Sequence, residues 1–231
     1  MPGRLSSLRA SRNPLQRAAQ VNHESWRSAP EDPEGANVPG TRNPAPAANL
    51  ARTVVFAAFI AVLGIFPGLY IGGAAVPIVL QNMGPLLAGS ILGARRGGAA
   101  VLLFVALVAL GLPLLSGGRG GIAPFAGPSG GFVLGWIASA VVVGLIVQRA
   151  MPRPGLVTLL VANVAGVAVD YLVGIPYWGA FTGDIGSAAV QSLVFLPGDA
   201  VKLVAVSLVA VAVHRAVPTL SAPRSTATTG S

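Results

Sequence analysis

The chain has 231 residues, of which 53% are hydrophobic and 10% are charged, and its mean hydropathy is +0.73. A soluble domain carries roughly a quarter charged residues, so this composition excludes an ordinary soluble globule. Cysteine is absent and the two histidines lie near opposite ends of the chain, which excludes thiolate sites and histidine-rich metal sites. The composition therefore predicts an integral membrane protein without a metal or other cofactor.

Apolar segments occupy the middle of the chain, between two polar tails. Residues 1–49 combine Arg, acidic residues, Pro and Asn without an apolar run, which predicts a disordered cytoplasmic tail rather than a secretory signal peptide. Residues 219–231 are rich in Ser, Thr and Ala and predict a second disordered cytoplasmic tail. Residues 50–218 form the predicted membrane domain.

Loop and charge signals divide this domain into six apolar runs, each about as long as a membrane helix requires. The runs cover residues 53–69, 76–93, 98–115, 130–147, 156–175 and 190–213. Because they are continuous and lack period-two alternation, helices are favoured over barrel strands. The predicted fold is all-α, an integral membrane bundle of six transmembrane helices that crosses the plasma membrane in several passes.

The positions of Lys and Arg predict the orientation of the bundle. Thirteen of the 15 basic residues fall in the tails or in connections on one side, and only Arg119 lies in a connection on the other side. We therefore expect both termini in the cytoplasm, which a reporter fused after Ser231 would test. The net charge of +8 is thus a topology signal, and no basic stripe interleaves with aromatic residues as a nucleic-acid groove requires.

Asp199 and Lys202 are the strongest candidates for a binding site. Their i,i+3 spacing places both on one helix face, and Lys202 is the only lysine in the chain. Each charge at the bilayer centre costs about 2.5–3.5 kcal/mol on insertion scales, so it is tolerated in a pair or beside a cavity. An ion pair that only fixes helix packing is the alternative. We favour ligand binding, because intramembrane charges usually lie on substrate paths.

Further polar residues lie near the predicted extracellular ends of the spans. The Gly-rich loop after the third span is a candidate lid or pocket wall, because glycine exposes backbone N–H groups, and a flexible connection is the alternative. Amide, carboxyl and hydroxyl groups inside spans need partners, which a ligand or neighbouring helices supply. These candidates are Gln81, Ser116, Gly117, Gly118, Asp170, Tyr171 and Tyr177. Their common side predicts one pocket that opens outward, with Trp178 as an interface anchor.

Several kinds of chemistry are absent from the sequence. The chain has no Walker phosphate loop and no set of nucleophile, base and orienting group, so we expect it not to be an enzyme. The inner halves of the spans carry almost no polar residue, which argues against a channel or proton path. Ala57 and Ala61 lie four positions apart on the first span, a spacing that permits close helix contact within the protein or with a second membrane protein.

A set of ordered motifs runs through the membrane domain, at residues 76–81, 86–89, 111–113, 116–121, 127–131 and 196–199, followed by Lys202. Together these motifs resemble the biotin-specific substrate-binding component of energy-coupling-factor transporters, the BioY family. The resemblance implies high-affinity capture of biotin in an outward pocket and delivery through a membrane scaffold subunit with two ATPase subunits. It also implies that Asp199 and Lys202 line the pocket and that Ala57 and Ala61 contact the scaffold.

Biotin has ureido N–H donors, a ureido carbonyl and a carboxylate. Asp199 can accept from an N–H group, and Lys202 can donate to a carbonyl or a carboxylate, so the end of biotin that meets Lys202 stays open. Asn82 stands where the family pattern often has Thr. Two alternatives to this function remain from the sequence: a stand-alone biotin facilitator, and a substrate-binding component for a different vitamin.

Overall fold

A computed structural model describes residues 44–70 and 76–217. The helices are α1 (Pro44–Leu63), α2 (Met83–Ala109), α3 (Gly130–Arg149), α4 (Leu156–Thr182), α5 (Ile185–Ser192) and α6 (Leu196–Ala216), with a 3-10 turn (Leu193–Phe195) between the last two. In the described residues, β-pairing is limited to two isolated bridges. The predicted all-helical class is confirmed, while the predictions for residues 1–43 and 218–231 lie outside the described residues.

Four helical stretches in the described ranges are long and apolar enough to cross a membrane. They are Met83–Ala109, Gly130–Arg149, Leu156–Thr182 and Ile185–Ala216, and a shorter apolar helix covers Ala47–Leu63. The first helix begins at Pro44, before the predicted start of the membrane domain at Leu50. A helical membrane bundle is therefore the class of the fold.

Helix α2 is broken at Gly93, whose φ of 77° and ψ of 178° are not helical. A Cβ atom on Gly97 would lie 2.6 Å from the carbonyl oxygen of Ala88. A continuous helix would separate these positions by about 13 Å along its axis, so the contact requires the chain to fold back. Helix α2 is thus two legs, residues 83–92 and 94–109, that pack against each other, and glycine supplies the positive φ at the break.

The predicted helix over residues 76–93 is wrong in its first part, because α2 begins only at Met83. Residues 76–82 instead form an extended and turned segment. Ile78 pairs with Leu69 through two backbone hydrogen bonds of 2.8 and 2.9 Å. Backbone groups of this segment have partners other than those of a helix. The carbonyl of Val79, for example, accepts a hydrogen bond from the Lys202 ammonium at 3.1 Å.

The predicted end of the fifth span at Ile175 is also wrong, because α4 continues to Thr182. Gly183 ends the helix in the left-handed conformation with a φ of 80°, and the side chain of Asp184 then caps α5 by accepting the N–H of Ser187 at 3.0 Å. Trp178 therefore lies inside a helix and is buried, which corrects its expected role as an interface anchor.

The small-residue face of α1 points into the protein. Ala57 is 3% exposed and packs in a core cluster with Ile60 of the same helix and Phe104 of α2, and Ala61 packs against this cluster. This packing supports the alternative that the small residues serve helix contact within the protein, and a contact of Ala57 and Ala61 with a scaffold subunit stays a prediction. The spacing of the two alanines alone did not show which neighbouring helix would pack against this face of α1.

Candidate ligand-binding site

A cavity lies where the segment 76–82 meets α3, α4 and α6. It encloses about 560 Å³ of space free of protein atoms, including the part open to solvent. Its wall is formed by Val76, Pro77, Ile78, Val79, Gln81, Asn82, Leu115, Arg119, Ser129, Phe132, Val133, Trp136, Asp170, Tyr171, Phe195, Asp199 and Lys202.

Asp199 and Lys202 form an ion pair on this wall, with 2.6 Å between Lys202 Nζ and Asp199 Oδ1. The ammonium also donates to the carbonyl of Val79 at 3.1 Å and to Asn82 Oδ1 at 2.9 Å. Asn82 Nδ2 donates to Asp199 Oδ1 at 3.1 Å, and the Tyr171 hydroxyl donates to Asp199 Oδ2 at 2.6 Å. The buried charges are thus paired and hydrogen-bonded, as a low-dielectric environment demands.

Local sequence explains how α6 presents this pair. Pro197 stands in the first turn of α6, where its missing N–H leaves no helical bond unmade. Asp199 lies in the same turn, where the helix dipole stabilises a negative charge. Lys202 follows three positions later on the same face, so one turn of helix delivers both charges to the cavity.

Aromatic rings form the apolar wall next to the ion pair. Phe132 of α3 makes edge contacts with Tyr171, Trp178 and Phe195, with ring centroids 6.2 to 6.4 Å apart. Such edge-to-face pairs fix ring positions beyond simple burial. The cavity therefore offers an apolar aromatic surface on one side and a set of charged and amide groups on the other.

Asp170 is the second acid on the cavity wall. It is 8% exposed, and its Oδ1 atom has no hydrogen-bond partner among the described residues. Gly135 of α3 faces this atom, and a Cβ at that position would overlap it. Asp170 thus has a buried acceptor atom beside the cavity that no described residue satisfies.

Gln81 lines the cavity, but all its polar groups bind the protein. Its Nε2 atom donates to the carbonyls of Ile60 at 2.9 Å and Leu114 at 2.8 Å, and its Oε1 atom accepts from the N–H of Ser116 at 3.1 Å. The side chain is 0% exposed. Gln81 therefore holds α1 and the Gly-rich loop together, and both N–H donors of its amide are already used within the protein.

The other predicted loop residues lie off the cavity wall. The Ser116 hydroxyl donates to the carbonyl of Phe66 at 2.6 Å, and Gly117 and Gly118 line a separate depression beside the end of α1. The Tyr177 hydroxyl donates to the carbonyl of Phe125, so this side chain fastens the loop. The structure therefore brings Asp199, Lys202, Asp170, Tyr171 and Gln81 together and leaves these four outside.

Sequence reasoning missed two sets of residues. Aromatic residues of the wall such as Phe132, Trp136 and Phe195 were hidden among ordinary apolar positions, whereas Arg119 belongs to the loop predicted as a lid or pocket wall and does line the cavity. The second set is a network of buried hydrogen bonds between helices. Ser90 donates to Asn163 Oδ1 at 3.2 Å, and Asn163 donates to Ser207 Oγ at 3.0 Å. A ring nitrogen of His214 lies 2.9 Å from the carbonyl oxygen of Ser90.

These buried hydrogen bonds among Ser90, Asn163, Ser207 and His214 correct the expectation that the inner halves of the spans carry almost no polar residue. Each of these residues finds partners on neighbouring helices, so the network joins α2, α4 and α6. In the described residues, no group of three or more His, Asp or Glu side chains is arranged to hold a metal ion. The site has charges, amides and aromatic rings suited to holding a polar, partly flat molecule.

Fold and site together define a helical membrane protein that binds a small molecule in a cavity near one end of its bundle. The BioY family model matches residues 36–219, most of the chain. The chain therefore belongs to the BioY family.

Relatives and one solved structure agree with this assignment. A biotin transporter BioY from Rhizobium etli is 44% identical over 181 residues, covering 75% of this chain and 97% of the relative. One from Lactococcus lactis is 37% identical, covering 67% and 84%. A crystal structure of the S-component for biotin from an ECF-type ABC transporter has a TM-score of 0.70 and 32% identity, covering 77% of this chain and 94% of that one.

Proposed function

We propose that this protein is a membrane subunit that captures biotin from outside the cell. The observation that carries the proposal is a cavity whose wall joins a hydrogen-bonded Asp199–Lys202 pair to an aromatic surface. Biotin has the matching chemistry, with a polar ureido group fused to an apolar ring and a carboxylate at the end of a side chain. Relatives named as biotin transporters, up to 44% identical, support this choice of ligand.

The wall of the cavity favours biotin over vitamins that are polar on every side. This wall places the hydrogen-bonded cluster of Asn82, Asp199 and Lys202 beside apolar and aromatic side chains such as Phe132 and Trp136. A ligand that is polar all round would leave its groups unpaired against the aromatic wall, which costs about 1–3 kcal/mol for each one. Fit therefore depends on a ligand with one apolar face and separate polar ends.

The first test is ligand retention and competition with the purified full chain in detergent. Mass spectrometry of copurifying small molecules is expected to detect biotin near one equivalent. In titrations, unlabelled biotin should displace labelled biotin, while thiamine and riboflavin should not. Displacement by either of those vitamins, or no binding of biotin at all, would show that the ligand has been misassigned.

We also propose that transport requires a membrane scaffold subunit and two ATPase subunits. The chain has no Walker phosphate loop, and a solved relative is a component of an ECF-type ABC transporter. Uptake of labelled biotin against a gradient is expected in cells that coexpress those subunits and not in cells that lack them. Equal accumulation in both strains would instead support a stand-alone facilitator.

The proposed membrane arrangement has six segments with both termini in the cytoplasm. The segments are α1, residues 76–92, residues 94–109, α3, α4 and the continuous stretch of α5 and α6. The support is the break at Gly93, which turns one apolar helix into two packed legs, and the distribution of basic residues. In this arrangement the cavity opens at the extracellular side, where Arg119 lies.

A further inference from the structure

Charged side chains are divided between the two ends of the helical bundle. The acidic residues of the described ranges are Asp170, Asp184 and Asp199; two of them line the cavity, and Asp184 follows the end of α4. Arg153 precedes the start of α4, whose 27 residues give it a length of about 40 Å. Asp199 stands in the first turn of α6 and Arg215 in its last turn. Within the described ranges, the end of the bundle opposite the cavity therefore carries arginines and no carboxylate.

Three arginines from different parts of the chain meet at this opposite end. A Cβ atom on Gly93, at the break in α2, would overlap the side-chain amide of Gln148. Arg95 follows the break by two positions, and Arg149 is the residue after Gln148. Arg153 comes four positions after Arg149, so their α-carbons are at most about 14 Å apart. Long guanidinium side chains at these positions can therefore reach one common anion.

Arg95, Arg149 and Arg153 have exposed side chains without a hydrogen-bond or ion-pair partner among the described residues. The neighbouring Arg96 differs from them, because it is half-buried and has a partner. Like charges that lie close together repel one another. A bound anion would therefore stabilise this surface by compensating three positive charges at once.

Exposed apolar side chains continue from the arginines along α3 and α4. Leu145 is exposed and lies four positions before Arg149, so both occupy one face of α3. Val157 and Val161 are exposed and lie four positions apart on one face of α4, and Val157 follows Arg153 by four positions. A soluble anion or an acidic peptide would match the arginines alone. A molecule with an anionic head and apolar tails matches both the arginines and the apolar rows.

We propose that Arg95, Arg149 and Arg153 bind the headgroup phosphate of an anionic phospholipid, whose acyl chains lie along the exposed apolar rows of α3 and α4. Guanidinium groups present paired donors that match phosphate oxygens. In the proposed membrane arrangement these arginines face the cytoplasmic leaflet, where basic pockets between membrane helices bind anionic lipids. The lipid site lies at the end of the bundle opposite the cavity and does not depend on the identity of the captured ligand.

Native mass spectrometry of the full chain tests this lipid site. The protein is released from nanodiscs that hold equal amounts of phosphatidylglycerol and phosphatidylcholine with the same acyl chains, so the two lipids differ in headgroup. The wild-type chain is expected to retain phosphatidylglycerol at least about tenfold better, because each arginine near an anionic surface strengthens binding about fivefold. In R149Q/R153Q this preference should fall by at least about tenfold. R149K/R153K should keep part of it, because lysine retains the charge without the paired donors.

Three controls separate the lipid site from other effects. R119Q removes an arginine from the cavity end and should retain phosphatidylglycerol as the wild-type chain does. Thermal unfolding in phosphatidylcholine alone should be the same for the wild-type chain and R149Q/R153Q, because the two exposed arginines have no described partner to lose. Excess glycerol 1-phosphate should not displace the lipid, since it has the phosphate but no acyl chains.

The lipid assignment would be overturned by equal retention of the two lipids in the wild-type chain, or by an unchanged preference in R149Q/R153Q. Displacement by glycerol 1-phosphate would instead indicate a site for soluble anions, and an equal loss in R119Q would indicate a general effect of net charge. Biotin affinity is a separate measurement, and R149Q/R153Q should leave it unchanged because both arginines lie outside the cavity wall. The lipid result therefore holds whether or not biotin is the captured ligand.

Discussion

Replacing Asp199 by Asn is expected to weaken biotin binding by roughly a hundredfold and to lower the thermal stability of the protein. The change leaves the buried Lys202 ammonium without its counter-ion, which in other proteins costs about 3–5 kcal/mol. It also removes the carboxylate that orders Asn82 and Tyr171 around the cavity. Titration calorimetry would measure affinity, and thermal unfolding in detergent would measure stability.

A double variant separates binding from folding. D199N/K202M removes both charges, so no unpaired ion remains and stability should return close to the wild-type value. Biotin binding should stay as weak as in D199N, because the polar groups that meet the ligand are gone. If the double variant bound biotin normally, the pair would serve only helix packing, which is the alternative that the sequence left open.

D184N is the matched control for this acid-to-amide change. Asp184 is exposed, lies outside the cavity wall and caps α5 through the N–H of Ser187. Because asparagine caps helices about as well as aspartate, neither stability nor affinity should change. A loss of binding in this control would mean that the assay reports general damage rather than the site.

The membrane class and the ion pair could be predicted from sequence because both follow from local pattern. Long apolar runs have few stable alternatives in a bilayer, and i,i+3 spacing fixes the relative direction of two side chains on a helix. Asp199 and Lys202 accordingly lie together on the cavity wall. These conclusions required no knowledge of which helices are neighbours.

The predictions from sequence failed where contacts between distant parts of the chain determine the local structure. Residues 76–82 are apolar enough for a helix, but they are not helical in the structure. The carbonyl of Val79 accepts a hydrogen bond from Lys202, which lies more than a hundred positions later in the chain. The spacing of Ala57 and Ala61 fits a contact within the protein or with a second protein, and only the structure shows that Ala57 packs against Phe104 of α2. The glutamine at position 81 had a polar side chain in a plausible place, and only the structure shows that Ile60, Leu114 and Ser116 already use it.

The second large expected effect is that of a substitution at Gly144, where α3 lies close to the break in α2. A Cβ on Gly144 would overlap the backbone nitrogen of Ala94, and one on Gly89 would lie 2.5 Å from the carbonyl oxygen of Ala140. Both contacts involve backbone, which cannot rotate away as a side chain can. Small residues thus bring α3 and α2 together at the point where the chain reverses.

Gly144→Ala is therefore expected to destabilise the protein by about 1–3 kcal/mol, as overpacking does in well-filled cores. On helix propensity alone, the same change in a helix interior would stabilise by about 1 kcal/mol, so the two effects have opposite signs. Gly144→Val should be worse still. Thermal unfolding would measure the change, and Gly127→Ala, whose Cβ would lie 3.6 Å from the nearest atom, should leave stability nearly unaltered.

Ligand binding should respond to Gly144→Ala as well, because α3 carries Phe132 and Trp136 on the cavity wall. Pushing α3 away from the break shifts these rings relative to the Asp199–Lys202 pair on α6. We expect biotin affinity to fall about tenfold, measured at a temperature where the variant is fully folded. A more stable Gly144→Ala variant with unchanged affinity would mean that helix propensity governs this position and that α3 is not seated on the reversal of α2.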